Sequence, residues 1–336
     1  MAAKSQQLGL ATLALSGSPL TQLSALARDA EELGYSSLWV PEVGGPDALV
    51  SLTACALATT RVDLATGVLP IQIRTPGVMA MGFLTLNELS GGRAVAGLGV
   101  SSPVIVERWH GASYAKPVTA MRECITIMRQ LFNEGRSKFE GKVYKCDFRL
   151  GMRRSQARPP RIYIAALNPP MLRLAGEMAD GVLLNYSPPE AMAPMISEIC
   201  DAARKAGRSP ESVDVGIYVR MCITDDEPRA LEAFKRELAT YAFVDAYNKM
   251  FSRYGLADEL AEVRRLWREG KRDEAPLAIS EASARKIAVF GPASAGREYI
   301  ARFRDAGVTH PVVFPIGPGS TIARDFPNTM RALAHT

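Results

Sequence analysis

Eight short apolar runs, each followed by a stretch with helical spacing, constrain this chain more than any other feature of its sequence. They fall at 7–14, 36–41, 62–68, 94–99, 161–166, 180–185, 213–223 and 310–316. Most are continuous rather than alternating, as expected of strands covered on both faces, which is the habit of parallel sheets. Between them, Leu20, Leu23, Leu26, Ala27, Ala30 and Leu33 recur at helical steps and Gly34 supplies a C-terminal stop. Val118, Met121, Ile125, Met128 and Leu131 give a later helix the same kind of core face. Eight strand and helix units predict a (β/α)8 TIM barrel, an α/β fold that occupies about 250 residues. An open doubly wound sheet is the second architecture, although the first turn, Ser16-Gly-Ser-Pro19, lacks the GxGxxG of a dinucleotide-binding unit.

The chain has 336 residues, so a barrel leaves room for interruptions. Residues 136–152, centred on Lys138-Phe-Glu-Gly-Lys-Val-Tyr144, read as a β-hairpin. The stretch 226–287 is charged, helical and too long for an ordinary connection, so it reads as a helical insertion. The expected organisation is one barrel domain over 1–336 carrying these two insertions.

Composition excludes several classes of function. With 47% hydrophobic and 22% charged residues the chain folds around a large core, which rules out intrinsic disorder. The net charge of +5 is spread along the chain with no polybasic tail, so no nucleic-acid partner is expected. Leu8–Leu15 is read as a strand rather than a secretory core, and no run of about 18 apolar residues predicts a membrane span. Five cysteines without a CxxC, an odd number, fit a reducing cytoplasm. Three scattered histidines without HExxH give no expectation of a metal.

A barrel gathers its chemistry at the carboxyl ends of its strands. There stand Glu42 after strand two, Gly67-Val68 at the end of strand three, and Gly99-Val100-Ser101 after strand four. Glu107-Arg-Trp-His110 follows on the same loop. Each has a plainer explanation as a cap, a turn or a hydrogen-bonding group. Gly291-Pro-Ala-Ser294 and Gly317-Pro-Gly-Ser-Thr321 open helices near the last strands, where barrels often bind phosphate, and plain caps explain both equally well. Ser90-Gly-Gly-Arg93 lies before strand four, on the opposite face, and is expected to end a helix.

Taken in order, Gly34-Tyr-Ser-Ser-Leu-Trp-Val-Pro-Glu42, Thr66-Gly-Val68, Leu89-Ser-Gly-Gly-Arg93 with Gly97-Leu-Gly99, and Met178-Ala-Asp-Gly-Val-Leu-Leu-Asn185 resemble the luciferase-like monooxygenase superfamily. Ser101-Ser-Pro103 and Trp109-His-Gly111 make the chain most similar to its coenzyme F420-dependent branch. The resemblance implies a (β/α)8 barrel with a deazaflavin across its carboxyl end and hydride transfer at ring carbon C5. It places a non-prolyl cis peptide at Gly67–Val68, backing the cofactor ring with Val68 on the face opposite the substrate, and Glu42 near the polar edge of the cofactor. Gly99, Val100, Ser101, Leu167, Asn168 and Asn185 map to positions lining it. The chain departs from dehydrogenase members in having Val43 where they carry histidine and Ser102 where some carry an acid. The expectation is therefore reduction of a C=C, C=N or C=O bond of a small molecule, with Glu42 or His110 as proton donor. Alternatives are an FMN-dependent two-component monooxygenase and a non-catalytic cofactor-binding barrel. The resemblance also implies a homo-oligomer, a dimer through faces such as Ala48–Leu57.

Overall fold

The computed structural model describes residues 7–11, 19–152, 157–318, 322–334 and 336. Residues 12–14 of the first expected strand, Ser16–Ser18 and Ser320–Thr321 lie outside them. Eight parallel strands close a barrel: β1 (Gly9–Ala11), β2 (Ser37–Val40), β3 (Asp63–Thr66), β4 (Ala94–Gly99), β5 (Arg161–Ala165), β6 (Gly181–Leu184), β7 (Asp214–Ile223) and β8 (His310–Pro315). Pairing runs around the ring in sequence order, and β8 returns to β1 through Gly9 and Leu10 opposite Val312 and Val313. These are the eight expected strands. Two short strands were not expected: Leu69–Pro70, which pairs with β4, and Ala288–Gly291, which extends the outer end of β7.

The helices are α1 (Leu23–Glu32), α2 (Ala48–Ala58), α3 (Pro76–Leu89), α4 (Pro117–Glu134), α5 (Pro169–Met178), α6 (Met192–Lys205), α7 (Glu227–Thr240), α8 (Asp245–Arg253), α9 (Ala257–Arg268), α10 (Glu281–Ile287), α11 (Ala293–Asp305) and α12 (Ile322–Ala332). Local chemistry sets their ends. Asp47 and Thr75 accept the Val50 and Val78 N–H groups at the starts of α2 and α3, and Gly135 closes α4 at φ 73°. Ser90-Gly-Gly-Arg93 terminates α3 as expected, with Gly91 and Gly92 both at positive φ. Arg93 then clamps the closed end of the barrel, donating to the carbonyls of Ala56, Thr59 and Val62 at 2.7–3.1 Å. The 136–152 hairpin forms as Arg136–Glu140 against Lys145–Arg149, and Glu123 of α4 accepts three backbone N–H groups from its turn. The 226–287 insertion is α7 to α10. Among the described residues no helix is long and apolar enough to cross a membrane.

Two hydrophobic clusters divide the core. The outer one lies between the strands and the helices of the barrel wall, as in Leu38, Leu64, Ile162 and Val182. The inner one fills the barrel with Trp39, Tyr163, Leu183, Tyr218 and Phe314 and continues without a break into Phe234, Leu238 and Phe251 of the insertion. The insertion thus shares the barrel interior. Glycine and ring alternate inside: a Cβ on Gly181 would lie 2.4 Å from the Tyr163 ring.

The amino end of the barrel is closed by a buried polar chain. Asp214 accepts from the Tyr163 hydroxyl and from Thr309, and faces His310 Nδ1 at 3.3 Å. His310 Nε2 meets the Ser37 hydroxyl at 2.8 Å, and Trp39 donates to the same oxygen at 2.8 Å. The order Ser, His, Asp has the composition of a catalytic triad, but Ser37 is fully buried and its oxygen is occupied by an indole N–H. It is a plug. Burial alone would raise the Asp214 pKa, yet His310, Thr309 and Tyr163 hold it well below the ordinary carboxylate range. A depressed folded-state pKa stabilises above the unfolded value of about 4 and is lost only as pH falls through the folded value. Asp214→Ala should therefore cost about 3–5 kcal/mol in urea unfolding at neutral pH. The difference from the parent should narrow in strong acid.

Candidate active site

At the carboxyl end of the ring the chain leaves β3 through a cis peptide between Gly67 and Val68, where the resemblance placed one. Leu69 and Pro70 then pair with Leu98 and Gly99, so the bulge is fastened along β4. Thr66 donates to the Gly97 carbonyl at 2.6 Å. From the far wall, Tyr218 of β7 reaches across and donates to the Gly67 carbonyl at 2.7 Å. Burial raises the pKa of this phenol, which keeps its proton available for that bond. The approach needs glycine: a Cβ on Gly67 would sit 1.7 Å from the Tyr218 oxygen, and one on Gly99 would sit 2.3 Å from Val68 Cγ2.

The expected ligand-lining residues are thus brought to one rim, in different ways. Val68 and Leu167 are half-buried against the inner cluster, while Val100, also half-buried, packs on the outer one. Ser101 adopts φ 56°, and its carbonyl faces the Tyr114 hydroxyl at 3.5 Å. Asn168 opens α5 and accepts from Arg253 at 2.9 Å. Asn185 is held from two sides: it donates to the Tyr247 hydroxyl at 2.9 Å and accepts from Arg220.

Arg220 was not singled out from the sequence, although an arginine inside the apolar run 213–223 was a signal in plain view. Its side chain is 3% exposed and pairs with Glu237 of α7 at 3.1 Å. The guanidinium lies 3.4 Å over the Tyr186 ring and 4.4 Å from that of Phe314. Burial would lower its pKa, but Tyr186 and Glu237 raise it overall, so the cation is secure. Tyr186 donates to the same carboxylate. One buried charge therefore fastens β6, β7, β8 and the insertion together.

The two candidate proton donors differ sharply. Both Glu42 oxygens are occupied as acceptors, by the Ala48 N–H at 3.0 Å and by Arg74 at 3.0–3.2 Å, and Arg74 also pairs with Asp47. A proton on Glu42 would have to displace one of those donors. His110 is exposed, at the end of a π-helical turn spanning Val104–Trp109, a form that recurs at functional sites. That turn touches the loop after β2, since a Cβ on Gly44 would lie 3.5 Å from the Trp109 ring. The structure thus joins the two loops without bonding Glu42 to His110. Among the described residues no cluster of three or more His, Cys, Asp or Glu could hold a metal. Gly291 ends the short strand at φ 118°, while part of Gly317–Thr321 lies outside the described residues.

Tyr218→Phe removes one buried hydrogen bond and should cost about 0.5–1.5 kcal/mol, more if the Gly67 carbonyl finds no other donor. Gly99→Ala should displace Val68 and weaken ligand binding at the rim by more than it lowers the melting temperature. Paired thermal melts and ligand titrations check both.

Residues 5–310 match the family model for luciferase-like monooxygenase. The chain is 33% identical over 310 residues to a Mycobacterium tuberculosis protein named "Putative coenzyme F420-dependent oxidoreductase", covering 86% of this chain and 89% of that one. It is 30% identical over 305 residues to 5,10-methylenetetrahydromethanopterin reductase of Methanolobus tindarius, covering 89% and 92%. Among solved structures, coenzyme F420-dependent tetrahydromethanopterin reductase from Methanopyrus kandleri superposes with a TM-score of 0.84 at 24% identity over 98% of this chain and 97% of that one, a likeness of fold. With the barrel, the bulge at Gly67–Val68 and a family match over most of its length, the chain belongs to the luciferase-like monooxygenase family of oxidoreductases.

Proposed function

We propose that this protein is a coenzyme F420-dependent oxidoreductase acting on a small organic molecule. The observation that carries the reading is the ledge at the barrel mouth. Val68 and Leu167 are half-buried apolar groups on the inner cluster, and the Val68 side chain lies directly over Gly99, where a Cβ would come within 2.3 Å of its Cγ2. A flat ring suits such a surface. The fit has a polar side as well: both carboxamide atoms of Gln72, in the turn beside β4, are buried without a hydrogen-bond partner among the described residues. A pyrimidine edge with its C=O and N–H groups would satisfy them. Relatives named for coenzyme F420 support the choice of cofactor over FMN.

Gly67, Val68, Gly99, Val100, Ser101, Leu167 and Asn168 would hold the cofactor, with Asn185 fixed from behind by Arg220 and Tyr247. When bound, a deazaflavin supplies hydride exchange at C5 with a C=C, C=N or C=O bond. The accompanying proton is assigned to His110, which has open access to solvent, and Glu42 is the second choice because its oxygens already serve Arg74 and Ala48. Titration by fluorescence should show coenzyme F420 binding far more tightly than FMN. The reverse order would move the reading to a two-component monooxygenase, and binding of neither would refute it. With a substrate in hand, His110→Ala should slow turnover by ~10²–10⁴. Glu42→Gln should act mainly on cofactor affinity, and unchanged turnover in both variants would remove both from the mechanism.

Two further parts of the reading rest on the surface. The outer faces of α2 and α3 expose Val50 and Leu57 at 70% and 73%, beside Val78, Met81 and Leu89. A second copy of the chain covering this face is the proposed dimer. Leu57→Arg should lower the sedimenting mass to that of one chain while leaving the melting curve in place. Five free cysteines support a cytoplasmic setting.

A further inference from the structure

The polar contacts around Arg220 run in one direction. A guanidinium only donates, so the Asn185 atom that faces it is the carboxamide oxygen, and the same group donates to Glu237 at 3.1 Å. The other end of that carboxamide is then its NH2, again a donor only, and it meets the Tyr247 hydroxyl at 2.9 Å. Tyr247 must accept there. Its own hydrogen is the last donor of the chain, and it has no acceptor among the described residues.

That hydroxyl is held in place beside the mouth. The Tyr247 ring, on α8, packs edge-on against Tyr186 with centroids 5.5 Å apart, and lies 4.7 Å from the Tyr241 ring and 6.0 Å from that of Phe251. Asn185 follows β6 at the carboxyl rim, and Tyr247 is half-buried against the inner cluster, as Val68 and Leu167 are. It is also close enough to Tyr218, the phenol bonded to the Gly67 carbonyl, that charge on Tyr247 would raise the Tyr218 pKa. Burial raises the pKa of Tyr247 itself, so its proton stays on the oxygen at neutral pH. An oriented O–H beside an apolar floor lacks only a lone pair to receive it.

We propose that the Tyr247 hydroxyl is a substrate-binding donor, bonded to the oxygen or nitrogen of a carbonyl or imine substrate, with Arg220 and Asn185 as the residues that position it. The inference deepens the reading of the barrel mouth as an oxidoreductase site and rests on it for its meaning. The pyrimidine edge of a cofactor has its own partner in Gln72 beside β4, whereas Tyr247 stands over β6. The proposal narrows the reducible bond to C=O, C=N or a C=C conjugated to a carbonyl, and excludes an isolated C=C. A hydride from the reduced deazaflavin, which is left oxidised, adds to carbon, and the π pair moves onto the oxygen or nitrogen. The bond from Tyr247 strengthens as that charge gathers, and the net proton comes from solvent through His110 as assigned above.

Calorimetric titration of the full chain with acetophenone and with α-methylstyrene, which carry C=O and C=CH2 on the same apolar body, tests the proposal. Acetophenone should bind roughly three- to tenfold more tightly. Tyr247→Phe should remove that preference and raise the infrared stretching frequency of the bound, 13C-labelled carbonyl. Asn185→Asp should do the same with the tyrosine still present, because a carboxylate accepts from Arg220 and from Tyr247 and so draws the hydroxyl hydrogen away from the ligand. A role in packing alone would leave the carbonyl frequency unmoved. An unchanged thermal melt confirms that each variant is folded. Equal affinity for the two probes, no binding of acetophenone, or a preference that survives either substitution would overturn the proposal. So would a Tyr247→Phe variant that weakens coenzyme F420 but not acetophenone, since the hydroxyl would then serve the cofactor. Acetophenone needs no cofactor to bind, so failure of coenzyme F420 to bind, with the ketone preference intact, would refute the cofactor reading and leave Tyr247 as a carbonyl donor.

Discussion

Closing eight parallel strands into a ring leaves an interior just wide enough for side chains, and that limit governs the rest of this molecule. Large rings are accommodated because glycines face them: Tyr163 beside Gly181, Tyr218 beside Gly67. At the amino end the space is filled by a polar chain from Trp39 to Asp214, so the barrel is sealed. At the carboxyl end Tyr218 bonds back to the bulge after β3, which leaves Val68 and Leu167 as the apolar floor of an open mouth. The same closure that stabilises the fold therefore produces one sealed end and leaves the proposed site at the other.

The insertion is coupled to that mouth through one buried cation. Arg220 comes from a barrel strand, Glu237 from α7, Asn185 from the end of β6 and Tyr247 from α8. A guanidinium enclosed by rings is stable only while its carboxylate and amide acceptors stay in place, so separating these elements would leave a buried charge unpaired. The fold also brings α8 and α10, remote in sequence from β5, to face Leu167 across a cavity of about 850 Å3.

Much of the fold was legible along the chain because parallel strands buried on both faces advertise themselves as unbroken apolar runs, and Gly34 and Ser90-Gly-Gly-Arg93 end helices through backbone preferences that act locally. The hairpin at 136–152 followed from a glycine between two charged strands. Leu69–Pro70 and Ala288–Gly291 were missed because two to four residues carry no periodicity, and only a neighbouring strand makes them strands. The candidate positions from Gly67 to Asn185 stand at the carboxyl ends of their strands, a placement that follows from where the apolar runs end. What those side chains do there was not legible. Glu42 is engaged by Arg74, 32 residues away, and Asn185 by Arg220, 35 residues away.

By itself, then, the sequence determined the eight barrel strands and most of the helices around them, the stops of the helices that end at Gly34 and Ser90-Gly-Gly-Arg93, and which strand ends carry small residues. These depend on interactions within a few residues of one another. Only the tertiary structure decided that His310 is a buried link between Ser37 and Asp214 rather than one of three scattered histidines, and that Arg220 ties β6, β7 and the insertion together. Charge pairing and desolvation depend on distances in space, and those are fixed only when the ring closes.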